Sequence, residues 1–209
     1  MAAKVIGSKP IVSKVFCSSS QVVLVVRKRP HVVYGGGFVV SDCGQKIVFR
    51  VDGCGMLGKQ EELIVRDGDG DALLLIRRKR GIVEALNINK QWKGHAVDFE
   101  GPQRLVFSLK EPKSSCLVKK NPIRISTEPK GYGTKWDFEI KGYFKDKACC
   151  IIDSHGNIIA QVGVEEEAEE LIPASKDLYH VVVRPGIDQA FIIGLIAVLD
   201  YIYDGSTRC

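Results

Sequence analysis

Three runs of basic residues are the strongest candidates for chemistry in this chain: Arg27-Lys28-Arg29, Arg77-Arg78-Lys79-Arg80 and Lys119-Lys120. Each follows or forms the end of an apolar, strand-like run. Clustered cations attract anions, and beside an anionic bilayer each adds about 1 kcal/mol of binding. The competing reading is a solvated strand end, where Lys and Arg guard a sheet edge. The second run also fits a short nuclear-import pattern.

The other reactive residue types are arranged less suggestively. Asp67, Asp69 and Asp71 have the spacing of the first ligands of a calcium loop. Such a loop also needs Gly at its sixth position and Glu at its twelfth, where Ala72 and Arg78 stand. A hairpin turn is expected there instead. Gly35-Gly36-Gly37 leads into a strand rather than a helix, so it reads as a turn and not a phosphate loop. The four His, at 31, 95, 155 and 180, form no close pair with one another or with Cys, and no metal site is expected. No Gly-x-Ser-x-Gly elbow occurs. Asp188 and Asp200 resemble a carboxylate pair, but twelve helical residues separate them by about 18 Å. Asp188 is expected to support a helix N-terminus and Asp200 to sit at a rim. No catalytic residue, metal or cofactor is assigned, and the chain is read as non-enzymatic.

The chain has 209 residues, 45% hydrophobic and 26% charged, with a formal net charge of +5. That profile suits a globular protein with one good-sized core, and its mild basicity admits an anionic partner. The seven Cys are odd in number, form no CxxC pair and follow no apolar leader stretch. Free thiols in a reducing, intracellular setting are expected. Cys209 does not end a prenylation box, and Ala2 stands where myristoylation needs Gly.

The elements that must position the basic runs are mostly strands. Three hairpins repeat one plan, an apolar run, an Asp/Gly turn and a second apolar run: Phe38–Val51 around Ser41-Asp42-Cys43-Gly44, Leu63–Ile76 around Arg66–Asp71, and Ala148–Val164 around Asp153–Asn157. Tight turns of this kind join antiparallel strands. Further strands are expected at Ile11–Phe16, Val22–Arg27, Glu84–Asn89, His95–Phe99, Leu105–Lys110, Cys116–Lys119, Ile123–Ser126, Trp136–Lys141 and Tyr179–Arg184, with Gln91-Trp92-Lys93-Gly94 flanked by the third and fourth of these runs. Glu165–Ile172 reads as a charged loop or a single helical turn.

One segment breaks this pattern. From Ala190 to Leu199 there is no polar side chain. A surface helix shows one apolar stripe; a helix apolar on every face must be enclosed. Ten residues are too few to span a bilayer, which takes roughly 20. A closed sheet removes its edges but needs its interior filled. The expected fold is therefore mainly β: a closed antiparallel β-barrel of about twelve strands around a buried hydrophobic C-terminal α-helix at residues 187–203. One domain is expected over residues 21–205, preceded by a loose segment and first strand at 1–20.

With these residues in hand, the chain resembles the plant LURP-one-related family, within the tubby C-terminal-like group that includes the phospholipid scramblases. The resemblance rests on FVVSDCGQKIVFRVDG at 38–53, LIVRDGDGDALLLIRRK at 63–79, FEIKGYF at 138–144 and RPGIDQAFIIGLIAVLD at 184–200. It implies a barrel closed around a hydrophobic helix and a link to plant defence. By analogy with tubby proteins it also implies a membrane-tethered or nucleic-acid-associated regulator. The tubby phosphoinositide pattern does not map residue by residue onto this chain. The expected function is a non-enzymatic binding or adaptor protein, peripheral at phosphoinositide-containing membrane. Its expected partners are anionic phospholipid headgroups and other proteins. Direct nucleic-acid binding is not expected, and neither is self-association. The expected location is the cytoplasm, with the nucleus and the inner face of the plasma membrane as further sites.

Overall fold

A computed structural model describes residues 10–29, 36–53, 61–79, 90–97, 103–112, 122–129, 136–163 and 177–208. Twelve strands form the closed barrel β1-β12-β11-β10-β9-β8-β7-β6-β5-β4-β3-β2. They are β1 (Val22–Arg29), β2 (Gly37–Ser41), β3 (Ile47–Asp52), β4 (Glu62–Asp67), β5 (Ala72–Lys79), β6 (Gln91–Ala96), β7 (Arg104–Lys110), β8 (Ile123–Thr127), β9 (Phe138–Tyr143), β10 (Ala148–Asp153), β11 (Ile158–Gly163) and β12 (Leu178–Val183). Sequence neighbours pair antiparallel all the way round, and β12 closes on β1 through Val22↔Val183 to Arg27↔Leu178. Up-and-down order sends all odd strands one way. Every even-to-odd connection therefore opens at one rim and every odd-to-even connection at the other.

The pleat sorts the side chains. Leu24, Val26, Phe38, Val40, Phe49, Val51, Leu63 and Val65 alternate along β1 to β4 and point inward, each 1% exposed or less. They pack on α1 (Gln189–Tyr203), in which every residue from Ala190 to Asp200 is buried. The apolar sheath of this helix is thus matched by an apolar barrel lining, and burial on this scale is the main stabilising term. Gly194 lets β5 come close: a Cβ there would stand 2.9 Å from Leu74 Cδ1. Among the described residues no helix is long and apolar enough to cross a membrane.

Both helix ends are fastened to the wall. Asp188 is the N-cap and accepts from the Phe191 N–H. Its other oxygen accepts from the Val12 and Ser13 N–H groups at 2.7 and 3.0 Å. At the far end Asp200 is fully buried and accepts from Ser206 Oγ and the Thr207 N–H. Asp200 was expected at the rim; it lies under it, because the chain folds back over the helix end to supply those donors.

Two expected elements take another form. Ile11–Phe16 is not a strand. Asp188 draws the Val12 and Ser13 N–H groups to the helix end, the Ser13 hydroxyl accepts from the Val15 N–H, and Lys14–Phe16 closes one 3-10 turn. Gln91-Trp92-Lys93-Gly94 does not separate two strands but lies within β6, with Trp92 and Gly94 facing the core. Gly94 is needed for space, since a Cβ there would overlap the Phe107 ring at 2.2 Å. The strands expected at Glu84–Asn89 and Cys116–Lys119, and the Glu165–Ile172 segment, lie outside the described residues.

Candidate functional site

The three repeated hairpins all turn at the rim where α1 begins. Their turns are held by aspartate: Asp42 Oδ1 accepts from Lys46 N–H. Asp67 Oδ1 accepts from the N–H groups of Asp69, Gly70 and Asp71, and Asp153 Oδ1 from those of His155 and Asn157. Burial pushes the Asp153 carboxyl up, but the Asn157 and His155 bonds outweigh it and hold it below the ordinary carboxylate range. The Asp67–Asp71 run is thus a turn clamp, its first carboxylate already occupied by backbone donors.

The basic runs open at the opposite rim, where α1 ends. β1 and β5 both run toward it, and the 111–122 connection, which carries Lys119 and Lys120, leaves from it. Arg80, Lys119 and Lys120 lie outside the described residues. The described members are brought to one rim but not to one point, since β2, β3 and β4 stand between β1 and β5.

The pleat divides these runs in two. Lys28 follows Leu24 and Val26 on the inner side of β1, and Arg78 follows Leu74 and Ile76 on the inner side of β5. Both lean over the helix end. Lys28 Nζ stands 3.3 Å from Asp204 and 3.7 Å from Asp177. Lys147, itself buried, bonds the same Asp204 and lies over the Phe144 and Tyr179 rings. Arg78 pairs with Glu61 at 2.6 Å and Glu111 at 2.8 Å. Its guanidinium lies over Trp92 and Tyr201, and Trp92 Nε1 donates to Glu111 at 2.7 Å. Burial works against the Arg78 charge, but the Glu111 and Glu61 bonds outweigh it and strengthen its hold on the proton. Burial pushes the Tyr201 hydroxyl up as well, reinforced by Glu61. Lys28 and Arg78 are parts of a polar plug sealing the barrel.

The outward members differ. Arg29 pairs with Asp52 at 2.7 Å, and Arg77 with Glu62 at 3.0 Å. Arg27 and Lys79 are exposed, and neither has an ion-pair partner among the described residues. Around the same rim stand Lys110, Lys141 and Lys145, also exposed and unpaired among the described residues. The rim also carries two exposed aromatics, Tyr143 at 52% and Tyr203 at 40%, the only ones among the described residues. A cleft of about 820 Å³ opens there, with Pro122, Lys141, Tyr143, Lys145, Tyr203 and Arg208 in its lining. Arg208 closes the helix end by donating to the carbonyls of Tyr201 and Ile202 at 2.7 and 2.9 Å, a cation at the negative end of the helix dipole.

Sequence reasoning by runs missed Lys141, Lys145, Tyr143 and Tyr203, which are scattered singly. The signal that finds them is the end of a period-two run: each lies where an apolar strand or the helix leaves the core.

These rims belong to a fold with known relatives. The model of the LURP-one-related family matches residues 22–200. The chain belongs to the LURP-one-related family. It is 53% identical to Protein LURP-one-related 6 of Arabidopsis thaliana, across 96% of this chain and all of that one. It is also 53% identical to Protein LURP-one-related 16 of the same plant, across 96% and 95% of the two chains. The crystal structure of another Arabidopsis thaliana protein shares the fold with a TM-score of 0.65 at 19% identity, over 92% of this chain and 97% of that one. These LURP-one-related proteins are named for the family rather than for a reaction.

Proposed function

We propose that this chain is a non-enzymatic binding module that lays its helix-C-terminal rim on an anionic phospholipid surface. The observation that carries this reading is a set of rim cations: Lys79, Lys110, Lys141 and Lys145 are exposed and have no ion-pair partner among the described residues, and the exposed rings of Tyr143 and Tyr203 stand at the same rim. Lysine reaches headgroup phosphates on a flexible stem, and tyrosine favours the membrane–water boundary, where its ring and hydroxyl are both accommodated. Phosphoinositide headgroups, with several phosphates each, suit the cleft that Lys141, Lys145, Tyr143 and Tyr203 line. Four cations at about 1 kcal/mol each are enough for salt-sensitive, reversible attachment. The attachment places the protein at the inner face of a plant cell membrane. Direct reading of DNA has little support, because α1 is enclosed and no groove-reading helix occurs among the described residues.

Flotation with vesicles tests this. Binding to vesicles containing phosphoinositide, lost in purely zwitterionic vesicles and weakened by raised salt, is expected. Equal flotation with both vesicle types, or none at low salt, contradicts the proposal.

A further inference from the structure

A second basic feature runs from Arg27 of the first basic run across the outer wall, and only the strand register makes it visible. Arg27 on β1 stands opposite Val39 on β2, Val39 opposite Arg50 on β3, and Arg50 opposite Arg66 on β4. Their neighbours Val26, Val40, Phe49, Val51 and Val65 fill the core, so all three arginines face outward in one row across the wall. Neighbouring strands are about 4.8 Å apart, which puts Arg50 one strand from Arg66 and two from Arg27. Arg27 and Arg50 are exposed, and neither has an ion-pair partner among the described residues. Arg66 is held by Asp52 at 2.9 Å and by the Gly70 carbonyl at 3.0 Å. Asp52 is already shared with Arg29.

Like charges directly opposite on adjacent strands are destabilising, and Arg50 faces Arg66. The single carboxylate of Asp52 does not balance the row. Guanidinium groups bind phosphate through paired, parallel N–H bonds, which lysine does not match. We infer that the Arg27–Arg50–Arg66 row is a binding site for a phosphomonoester carried by a protein partner. The choice of protein over lipid rests on the rim reading above. A barrel standing on its helix-C-terminal rim turns this wall toward water, and the row carries Val39 as its apolar member and no exposed aromatic. Clustered arginines recognising a phosphorylated segment are a recurrent mode of peptide capture.

The test is a nuclear magnetic resonance titration of the arginine Nε–Hε signals of the full chain. The probes are a short phosphoserine peptide, its unphosphorylated twin, and vesicles containing phosphoinositide. The phosphopeptide is expected to shift the Arg27, Arg50 and Arg66 signals and the unphosphorylated peptide to leave them in place. Arg50→Gln is expected to weaken phosphopeptide binding by about tenfold or more, while Lys141→Gln/Lys145→Gln leaves it unchanged. Without any ligand, Arg50→Gln is expected to raise Tm by about 1–2 °C, because it removes the facing charge. Equal shifts with both peptides, no shift at the row, or row signals that respond only to vesicles would overturn the inference. Vesicle binding that fails while phosphopeptide binding persists would remove the membrane reading alone.

Discussion

The two rims of this barrel are built from the same strands and behave as different surfaces. At the rim where α1 begins, the β2–β3, β4–β5 and β10–β11 connections are tight turns, each clamped by one aspartate onto its own backbone. At the rim where α1 ends, the connections at 80–90, 111–122 and 164–177 are longer, and the charged groups are mainly Lys and Arg. The helix dipole follows the same polarity, with Asp188 at its positive end and Arg208 at its negative end. The difference teaches that charge at one rim is spent on turns, whereas at the other only part of it is. Lys28 and Arg78 seal the core; Lys79, Lys110, Lys141 and Lys145 do not, and those are the groups left for a partner.

The comparison breaks entirely if the helix that joins the rims is not the core. Ile196→Asp places an unpaired charge among buried apolar side chains, a cost comparable with the whole stability of a domain. Loss of native circular dichroism and of a cooperative melt is expected; a native-like melt would remove the basis of the fold account. Next in size is Arg78→Ala. It leaves Glu111 and Glu61 without their shared cation beneath a rim where the Arg78 side chain is 11% exposed. About 3 kcal/mol of destabilisation is expected, read as a Tm lower by roughly 6–12 °C. A Tm within a degree of the parent would show that Arg78 belongs with the free cations.

At the opposite rim, Asp67→Ala removes the acceptor of three turn N–H groups that water partly replaces. About 1 kcal/mol is expected, with vesicle binding unchanged; a change in vesicle binding would assign both rims to the membrane. Lys79→Gln/Lys141→Gln/Lys145→Gln is expected to leave Tm within about 2 °C, as exposed substitutions usually do, and to weaken vesicle binding by one to two orders of magnitude. A large loss of Tm would place these lysines in the plug instead.

The smallest signal is a pH effect just under the basic rim. Burial pushes the Cys149 thiol up to about 12. A thiol raised in the folded state stabilises fully below its unfolded value and loses that contribution as pH climbs through the folded one. Denaturant midpoints of the parent are expected to fall between about pH 9 and 12 more steeply than those of Cys149→Ala. Parallel curves would show that water reaches beneath the rim.

Much of this architecture was legible in the sequence, for physical reasons. A helix apolar on all faces demands enclosure, and three Asp/Gly hairpins demand antiparallel neighbours; a closed barrel satisfies both. Gly94 misled, because its smallness makes room for the Phe107 ring rather than marking a break between strands. Ile11–Phe16 misled because its β-branched residues follow a remote carboxylate, Asp188, and not a strand partner. The basic runs were legible as runs but not as sides. Continuing the alternation of Leu24 and Val26 through Lys28, or of Leu74 and Ile76 through Arg78, separates the plug from the free cations. The Arg27–Arg50–Arg66 row was not legible, since it depends on the register of four strands rather than on any local spacing.

The central claim is that the two rims are functionally unequal, and lysine acetylation footprinting of the unmodified protein tests it most directly. Mass spectrometry would compare each lysine's reactivity with and without vesicles containing phosphoinositide. Lys79, Lys141 and Lys145 are expected to lose reactivity when vesicles are present, while Lys14 and Lys46, exposed at the opposite rim, keep theirs. Protection of Lys14 and Lys46 instead, or equal protection at both rims, would contradict the account.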